Sequence, residues 1–341
     1  MSRTASDRWD EDDVPVRPGR RKSRPRSKER PEHATALHAT VVTVDRGRFG
    51  VITDDGRPLS AIKARELGRK GVVVGDSVWL VGDTSDDQDA LSRIVRLDPR
   101  RTVLRRSADD VDAVERIIVA NADQLGIVTS IKDPLARPRL IDRALIAAYA
   151  AGISPLLIVT KTDLASPAEL LTAYQSLDVP YVAIARDDET KNHDVRGLAR
   201  LHDLLHNQVT VLVGPSGVGK STLVNALVPA AHRATGNVNQ VTGRGRHTST
   251  SALALPLDGS GWIIDTPGVR SFGLAHVDIN EIVSSFDDLA PGIKSCPRGC
   301  SHDEADCGLD TFVAGDPSLT ARLDSLRRLL LTRSISPEEL T

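Results

Sequence analysis

Residues Gly214-Pro215-Ser216-Gly217-Val218-Gly219-Lys220-Ser221, with Thr222 directly behind them, constrain this chain more than any other stretch. An apolar run, Val209 to Val213, precedes them and Leu223-Val224-Asn225-Ala226-Leu227 follows, so the segment reads strand, glycine-rich turn, helix. Glycines let the backbone turn a row of N–H groups onto phosphate oxygens, and the start of the helix adds its positive dipole end. In that arrangement Lys220 reaches the β- and γ-phosphates and the Ser221 hydroxyl ligates Mg²⁺. A strand and a helix in the required places separate this stretch from a chance glycine turn, and they imply a nucleoside triphosphate ligand.

Two further loops extend the argument. Arg116–Ala120 and Gln124–Thr129 read as buried strands, Arg139 to Ala151 as a helix, and Pro155–Val159 as a third strand running into Thr160-Lys161-Thr162-Asp163. Strands alternating with helices predict a parallel sheet covered on both faces, which binds ligands at the carboxyl ends of its strands. There Asp163 suits the N1 and N2 hydrogens of guanine, with the Lys161 stem across the base. Downstream, Gly261-Trp262-Ile263-Ile264 leads into Asp265-Thr266-Pro267-Gly268. An aspartate at the end of an apolar strand holds Mg²⁺, and the Gly268 N–H senses the γ-phosphate. The base-reading loop thus precedes the phosphate loop, the reverse of the ordinary GTPase order. Because all these loops lie at one sheet edge, joining the old termini and cutting elsewhere preserves the site.

The flanking segments differ in kind. Residues 1–36 are rich in Arg, Asp, Ser and Pro without apolar periodicity and read as a disordered tail, its basic half either an arm on nucleic-acid phosphates or a solubilising segment. Between 37 and 97, short β-type runs (Ala39–Val44, Phe49–Ile52, Gly71–Val74, Ser77–Val81) alternate with turn signals and predict a small barrel, an OB-fold or another of similar size. Phe49 and Trp79 are its only aromatics, so any RNA contact there rests on phosphates and shape. The three cysteines, Cys296, Cys300 and Cys307, fall in one short segment with His302. Three thiolates and an imidazole make a complete tetrahedral set for structural zinc, with no position left to activate water. From Leu319 to Leu331 a helix is expected with Arg322, Arg327 and Arg328 exposed, as a solvated face or an rRNA contact. The net charge of −2 argues against a generic polyanion binder, and no apolar run is long enough for a membrane span, so a cytoplasmic protein without membrane contact is expected.

Thr160-Lys161-Thr162-Asp163, Gly214 to Thr222, Gly245-Arg246-His247-Thr248-Ser249-Thr250, Asp265 to Leu274 and the cysteine cluster together resemble the circularly permuted GTPases of the RsgA (YjeQ) family, which assist maturation of the small ribosomal subunit. Thr160 stands where many members have Asn, and Val182–Ala185 where a Ser-Ala pair is common. The resemblance implies an α/β P-loop GTPase domain, circularly permuted, over 101–274, an N-terminal OB-fold β-barrel over 37–97 that binds RNA, and a zinc-binding, mostly helical C-terminal domain over 275–341. It implies a monomeric GTP hydrolase that binds the small ribosomal subunit and its rRNA, couples GTP hydrolysis to late maturation and its own release, and carries one structural Zn besides Mg with GTP. Val269 occupies the place of the Gln that orients water in Ras-like enzymes, and the resemblance transfers that role to His247, with Thr248 on Mg²⁺. Turnover on the order of 10⁻⁴ to 10⁻³ per second is then expected without a partner. A P-loop ATPase or kinase would instead show a carboxylate-rich strand end in place of Asp265-Thr266-Pro267-Gly268. An RNA-binding assembly module with a structural nucleotide would not need Lys220 for release.

Overall fold

The computed structural model describes residues 35–334 apart from 69–70, 86–90, 108–114, 187–192, 229–251, 259, 267–271, 273 and 275–276. Five strands come first: β1 (Leu37–Asp45), β2 (Arg48–Thr53), β3 (Pro58–Lys63), β4 (Ser77–Gly82) and β5 (Ser92–Leu97). They pair in the order β1-β2-β3-β5-β4 and return from β4 to β1, with β3 and β5 parallel, so the sheet closes on itself as an OB-type barrel. Closure leaves no free edge, and Val41, Val51, Ala61, Val78, Leu80 and Ile94 fill the interior.

Two of these strands escape the sequence pattern. Pro58–Lys63 opens on a proline, which a strand tolerates at its first residue, and Ser92–Leu97 turns Ser92 and Ile94 inward while Arg93 faces out. Conversely, Gly71–Val74 is not a strand. The buried Asp76 carboxylate accepts the Val73 N–H at 2.7 Å while its own N–H returns to the Val73 carbonyl at 3.2 Å, folding the run into a turn. Val72 still plugs the barrel, which accounts for the apolar character of the run.

The next pair, β6 (Val103–Ser107) and β7 (Glu115–Ala120), forms a separate antiparallel ribbon. The run 116–120 therefore lies outside the parallel sheet in which the alternation of strands and helices would put it. That sheet is built from β8 (Gln124–Ser130), α1 (Pro138–Ala150), β9 (Ser154–Thr160), α2 (Ala168–Tyr174), β10 (Tyr181–Ile184), α3 (Val195–Leu205), β11 (Val209–Val213), α4 (Lys220–Leu227), β12 (Leu253–Pro256) and β13 (Trp262–Asp265). Strands β10-β9-β8-β11-β13 run parallel in that order, and β12 closes antiparallel on β13 and reaches β1 through one pair, Thr43 with Leu253. Every residue of β8 is buried, as a sheet covered on both faces requires. Leu201, Leu205, Leu223 and Leu227 of α3 and α4 cover one face, and Ile141, Ala144, Leu145 and Ala148 of α1 the other.

Four helices follow: α5 (Ile279–Val283), α6 (Ala290–Ile293), α7 (Gly308–Val313) and α8 (Pro317–Ser334). Leu323, Leu326 and Leu329 of α8 join the core of the α1 face. Its arginines are not the exposed face that the spacing suggests. Arg322 donates to the Ser176 carbonyl at 2.8 Å and lies 4.5 Å over the Phe286 ring. Arg327 forks onto the Asp310 carboxylate at 2.9 and 2.8 Å. Arg328 donates to the Ala173 carbonyl at 3.0 Å, lies over the Tyr174 ring and pairs at 3.4 Å with Asp142, a buried carboxylate of α1. The three pin α8 to its neighbours. Helical charge spacing cannot distinguish such pins from a solvated row, because the partners come from other elements.

Candidate nucleotide site and metal cluster

The phosphate loop leaves β11 at Gly214, where a Cβ would lie 2.2 Å from the Val128 carbonyl oxygen, so only glycine lets the loop pass β8 at this distance. Gly219, at φ +92°, swings the chain into α4, whose first residue is Lys220 and whose Ser221 and Thr222 are exposed on the first turn. Unpaired N–H groups of that turn face any ligand at the loop. Between these glycines Val218 is buried, and its carbonyl accepts the Thr160 hydroxyl at 2.6 Å; the same hydroxyl lies 3.1 Å from the Thr129 carbonyl. One side chain at the end of β9 thereby ties the base-reading strand to the phosphate loop.

Beyond Thr160, the Lys161 amine donates to the Asp133 carbonyl. The Thr162 N–H reaches the Ile184 carbonyl at 3.3 Å, and one Asp163 carboxylate oxygen accepts the Arg186 N–H at 2.7 Å. Thr160 to Asp163 are thus laced to the end of β10. Asp265 closes β13, beside β11, and its neighbour Thr266 donates to the Leu212 carbonyl at 2.9 Å. Asp265 Oδ1 is buried and has no hydrogen-bond partner among the described residues. Burial pushes its carboxyl above the usual range, and the nearby Lys220 charge opposes the rise. A buried carboxylate oxygen without a donor among the described residues, at the strand end beside the phosphate-loop strand, fits a hard divalent cation such as Mg²⁺. One sheet edge therefore carries Thr160–Asp163, Gly214–Thr222 and Asp265. His247, Thr248 and Gly268 lie outside the described residues.

The second constellation lies ahead of α7. The ligand atoms of Cys296, Cys300, His302 and Cys307 all fall within 4.8 Å of one another, with Cys296 Sγ 3.6 Å from His302 Nδ1 and 3.9 Å from Cys307 Sγ. Burial pulls the His302 pKa down, against the Glu304 carboxylate, and this favours the neutral imidazole that ligates metals. Arg327 holds the same loop by donating to the His302 carbonyl at 2.8 Å. The donor set and its compass fit a closed tetrahedral metal site.

A family model described as RsgA GTPase matches residues 97–275, just over half of the chain, which holds Thr160–Asp163, Gly214–Thr222 and Asp265 and ends before the cysteine cluster. The chain belongs to the RsgA GTPase family. A curated relative from Nitrosospira multiformis, named small ribosomal subunit biogenesis GTPase RsgA, is 34% identical over 300 residues, covering 86% of this chain and 90% of its own length. Among solved structures, YjeQ from Thermotoga maritima superposes with a TM-score of 0.64 at 22% identity, covering 87% of this chain and 98% of that one. YloQ, described as a circularly permuted GTPase, superposes at 0.62 and 20% identity, with 89% and 98% covered. The fold of this RsgA-family chain is accordingly that of the permuted GTPases, with the barrel ahead of the GTPase sheet and the Cys₃His cluster behind it.

Sequence reasoning missed three residues around the site. Asp194 caps α3 by accepting the Gly197 N–H at 2.6 Å and also takes the Ala185 N–H at 2.9 Å, fixing the end of β10. Arg143 is buried within α1 and donates to the Phe272 carbonyl at 3.0 and 2.5 Å, holding the chain downstream of Asp265. His193 faces Arg186 across a backbone bridge. The Asp194-Val195 step carries a helix-start signal. Arg143 carries none, since it sits inside an apolar helix pattern.

Proposed function

We propose that this GTPase binds GTP with Mg²⁺ at the carboxyl edge of the parallel sheet and uses its hydrolysis to act on, and then leave, the small ribosomal subunit. In this reading Gly214, Pro215, Ser216, Gly217, Val218, Gly219 and Thr222 line the phosphates, Lys220 neutralises β- and γ-phosphate charge, the Gly268 N–H senses the γ-phosphate, and Ser221, Asp265 and Thr248 hold the metal. Thr160, Lys161, Thr162 and Asp163 form the guanine end, and His247 positions water. Mg²⁺ bound at Ser221 and Asp265 would supply positive charge against the triphosphate. Residues 37–97 serve as the rRNA-facing barrel, 101–274 as the GTPase domain, and 275–341 as a domain closed by one zinc ion on Cys296, Cys300, His302 and Cys307. In this reading the protein works as a cytoplasmic monomer; among the described residues no helix is long and apolar enough to cross a membrane.

The observation that carries this reading is the buried Asp265 oxygen, unpartnered among the described residues and within the field of Lys220, on the same edge as the loop that ends in Asp163. The relatives' names supply the ribosomal subunit as the partner to test. Steady-state hydrolysis of GTP and of ATP by the full-length protein, with and without purified small subunits, tests it. GTP is expected to be strongly preferred and its turnover to rise when subunits are added. Equal use of ATP would overturn the base assignment, and turnover indifferent to subunits would overturn the partner.

A further inference from the structure

We propose that Arg143 is a positioning residue for GTP hydrolysis, fixing from inside α1 the far end of the segment whose Gly268 N–H reads the γ-phosphate. This deepens the GTP reading above and rests on it. The segment leaves β13 at Asp265 and is anchored at once, because the buried Thr266 hydroxyl donates to the Leu212 carbonyl of β11 at 2.9 Å. The second anchor is Phe272, whose carbonyl accepts from Nε and Nη2 of Arg143 at 3.0 and 2.5 Å. The Phe272 side chain is itself buried, and with Ile141 and Ala144 of α1 it lines a small cavity that also touches Gly214 and Pro215 of the phosphate loop. Gly268 thus stands in the chain between two fixed points, one on the phosphate-loop strand and one on α1.

The helix that carries Arg143 is held from several sides. Ile141, Ala144, Leu145 and Ala148 belong to the core that seats α1 on the sheet. The Tyr174 hydroxyl donates to the carbonyl of Pro138, the first residue of α1, at 3.0 Å. Asp142, the residue before Arg143, pairs with Arg328 of α8 at 3.4 Å. On this mount Arg143 is 2% exposed. A fully buried arginine is uncommon, because its guanidinium must shed water. An apolar side chain would fill the same core space; what arginine adds is a planar fork of N–H groups that determines where one carbonyl sits. A site whose chemistry depends on placing an N–H against a phosphate oxygen to within a fraction of an ångström has a use for that fork.

The test compares the full-length protein with Arg143→Met, Arg143→Lys and Gly268→Ala, with Mg²⁺ present throughout. Affinities for GDP and for the non-hydrolysable analogue guanylyl imidodiphosphate are measured beside single-turnover hydrolysis of GTP. GDP has no γ-phosphate, so it counts the folded sites, and rates are referred to that count. Arg143→Met is expected to keep its GDP affinity, to lose about fivefold to tenfold toward the analogue, as loss of one hydrogen bond implies, and to slow the turnover by up to about 10²-fold. Arg143→Lys keeps a donor and should recover part of both losses. Arg143→Met combined with Gly268→Ala should lose much less than the product of the two single losses, because both disturb one contact. Equal weakening of GDP and the analogue, an unchanged turnover, or fully multiplying losses in the double variant would overturn the proposal. If Arg143→Met does not fold, Arg143→Lys decides alone: a partial loss confined to the analogue and the turnover supports the proposal, and wild-type values overturn it. A wild-type protein that hydrolyses ATP as readily as GTP would overturn the GTP reading itself, an outcome read without any variant.

Discussion

Thr160 offers the sharpest test of how the site is held. It is 1% exposed, and its hydroxyl donates to the Val218 carbonyl of the phosphate loop at 2.6 Å. In Thr160→Val a methyl group replaces the hydroxyl, and carbon wants about 3.5 Å from its neighbours, so the loop must retreat by about 0.9 Å. The buried Val218 carbonyl also loses its donor, at a cost of about 1–3 kcal/mol. A displacement near 1 Å in a positioning element lowers turnover by up to about 10²-fold. Thr160→Ala loses the same bond without the push, so it should match the valine variant in stability and exceed it in turnover. Thr160→Ser keeps the hydroxyl and should stay within about 1 kcal/mol of wild type. Urea unfolding and single-turnover GTP hydrolysis on the three variants read the two effects separately. If valine and alanine variants turn over at the same rate, the push on the loop is not what limits turnover, and if both keep the wild-type rate, the bond is not what sets the loop.

The remaining expectations concern the C-terminal region. Arg328→Met leaves the Asp142 carboxylate buried without its cation, and the loss at pH 7 should be about 1–3 kcal/mol, below that of a fully buried pair because Arg328 is one-third exposed. Burial already raises the Asp142 pKa against Arg328, so this group favours folding below its unfolded pKa and costs stability as pH rises toward the folded value. Removing Arg328 moves the folded value further up, so the deficit in urea melts should shrink toward zero near pH 4; equal deficits at both pH values would refute the pairing. Cys300→Ala should release one metal ion per chain, scored by a colorimetric chelator, and loosen the segment around α7 while nucleotide affinity holds. A variant that keeps its metal would remove Cys300 from the ligand set.

The parts of this molecule that depend on neighbouring residues in the chain were the legible ones. The phosphate loop announces itself because the strand, the glycines and the helix start are contiguous, and the cysteine segment because its ligands lie within a dozen residues. Where tertiary partners decide, the pattern misled. Gly71–Val74 has strand composition, yet Asp76 captures the Val73 N–H; Arg116–Ala120 reads as a sheet strand, yet its partner is the ribbon strand Val103–Ser107. Arg322, Arg327 and Arg328 look solvated until Ser176, Asp310 and Asp142 are set against them. Arg143 was invisible for the same reason, its acceptor standing 129 positions away.

The phosphate strand, Val209–Val213, lies in the middle of the parallel sheet, between β8 and β13, although β8, β9 and β10 all precede it in the chain. During translation the growing polypeptide therefore exposes a three-stranded sheet whose β8 flank stays bare while the 24 residues between Ile184 and Val209 are still being made. A bare parallel flank invites mispairing with other nascent chains. The permuted gene order thus moves the vulnerable interval of biosynthesis to the period before the nucleotide cradle exists, when no ligand is able to shelter it.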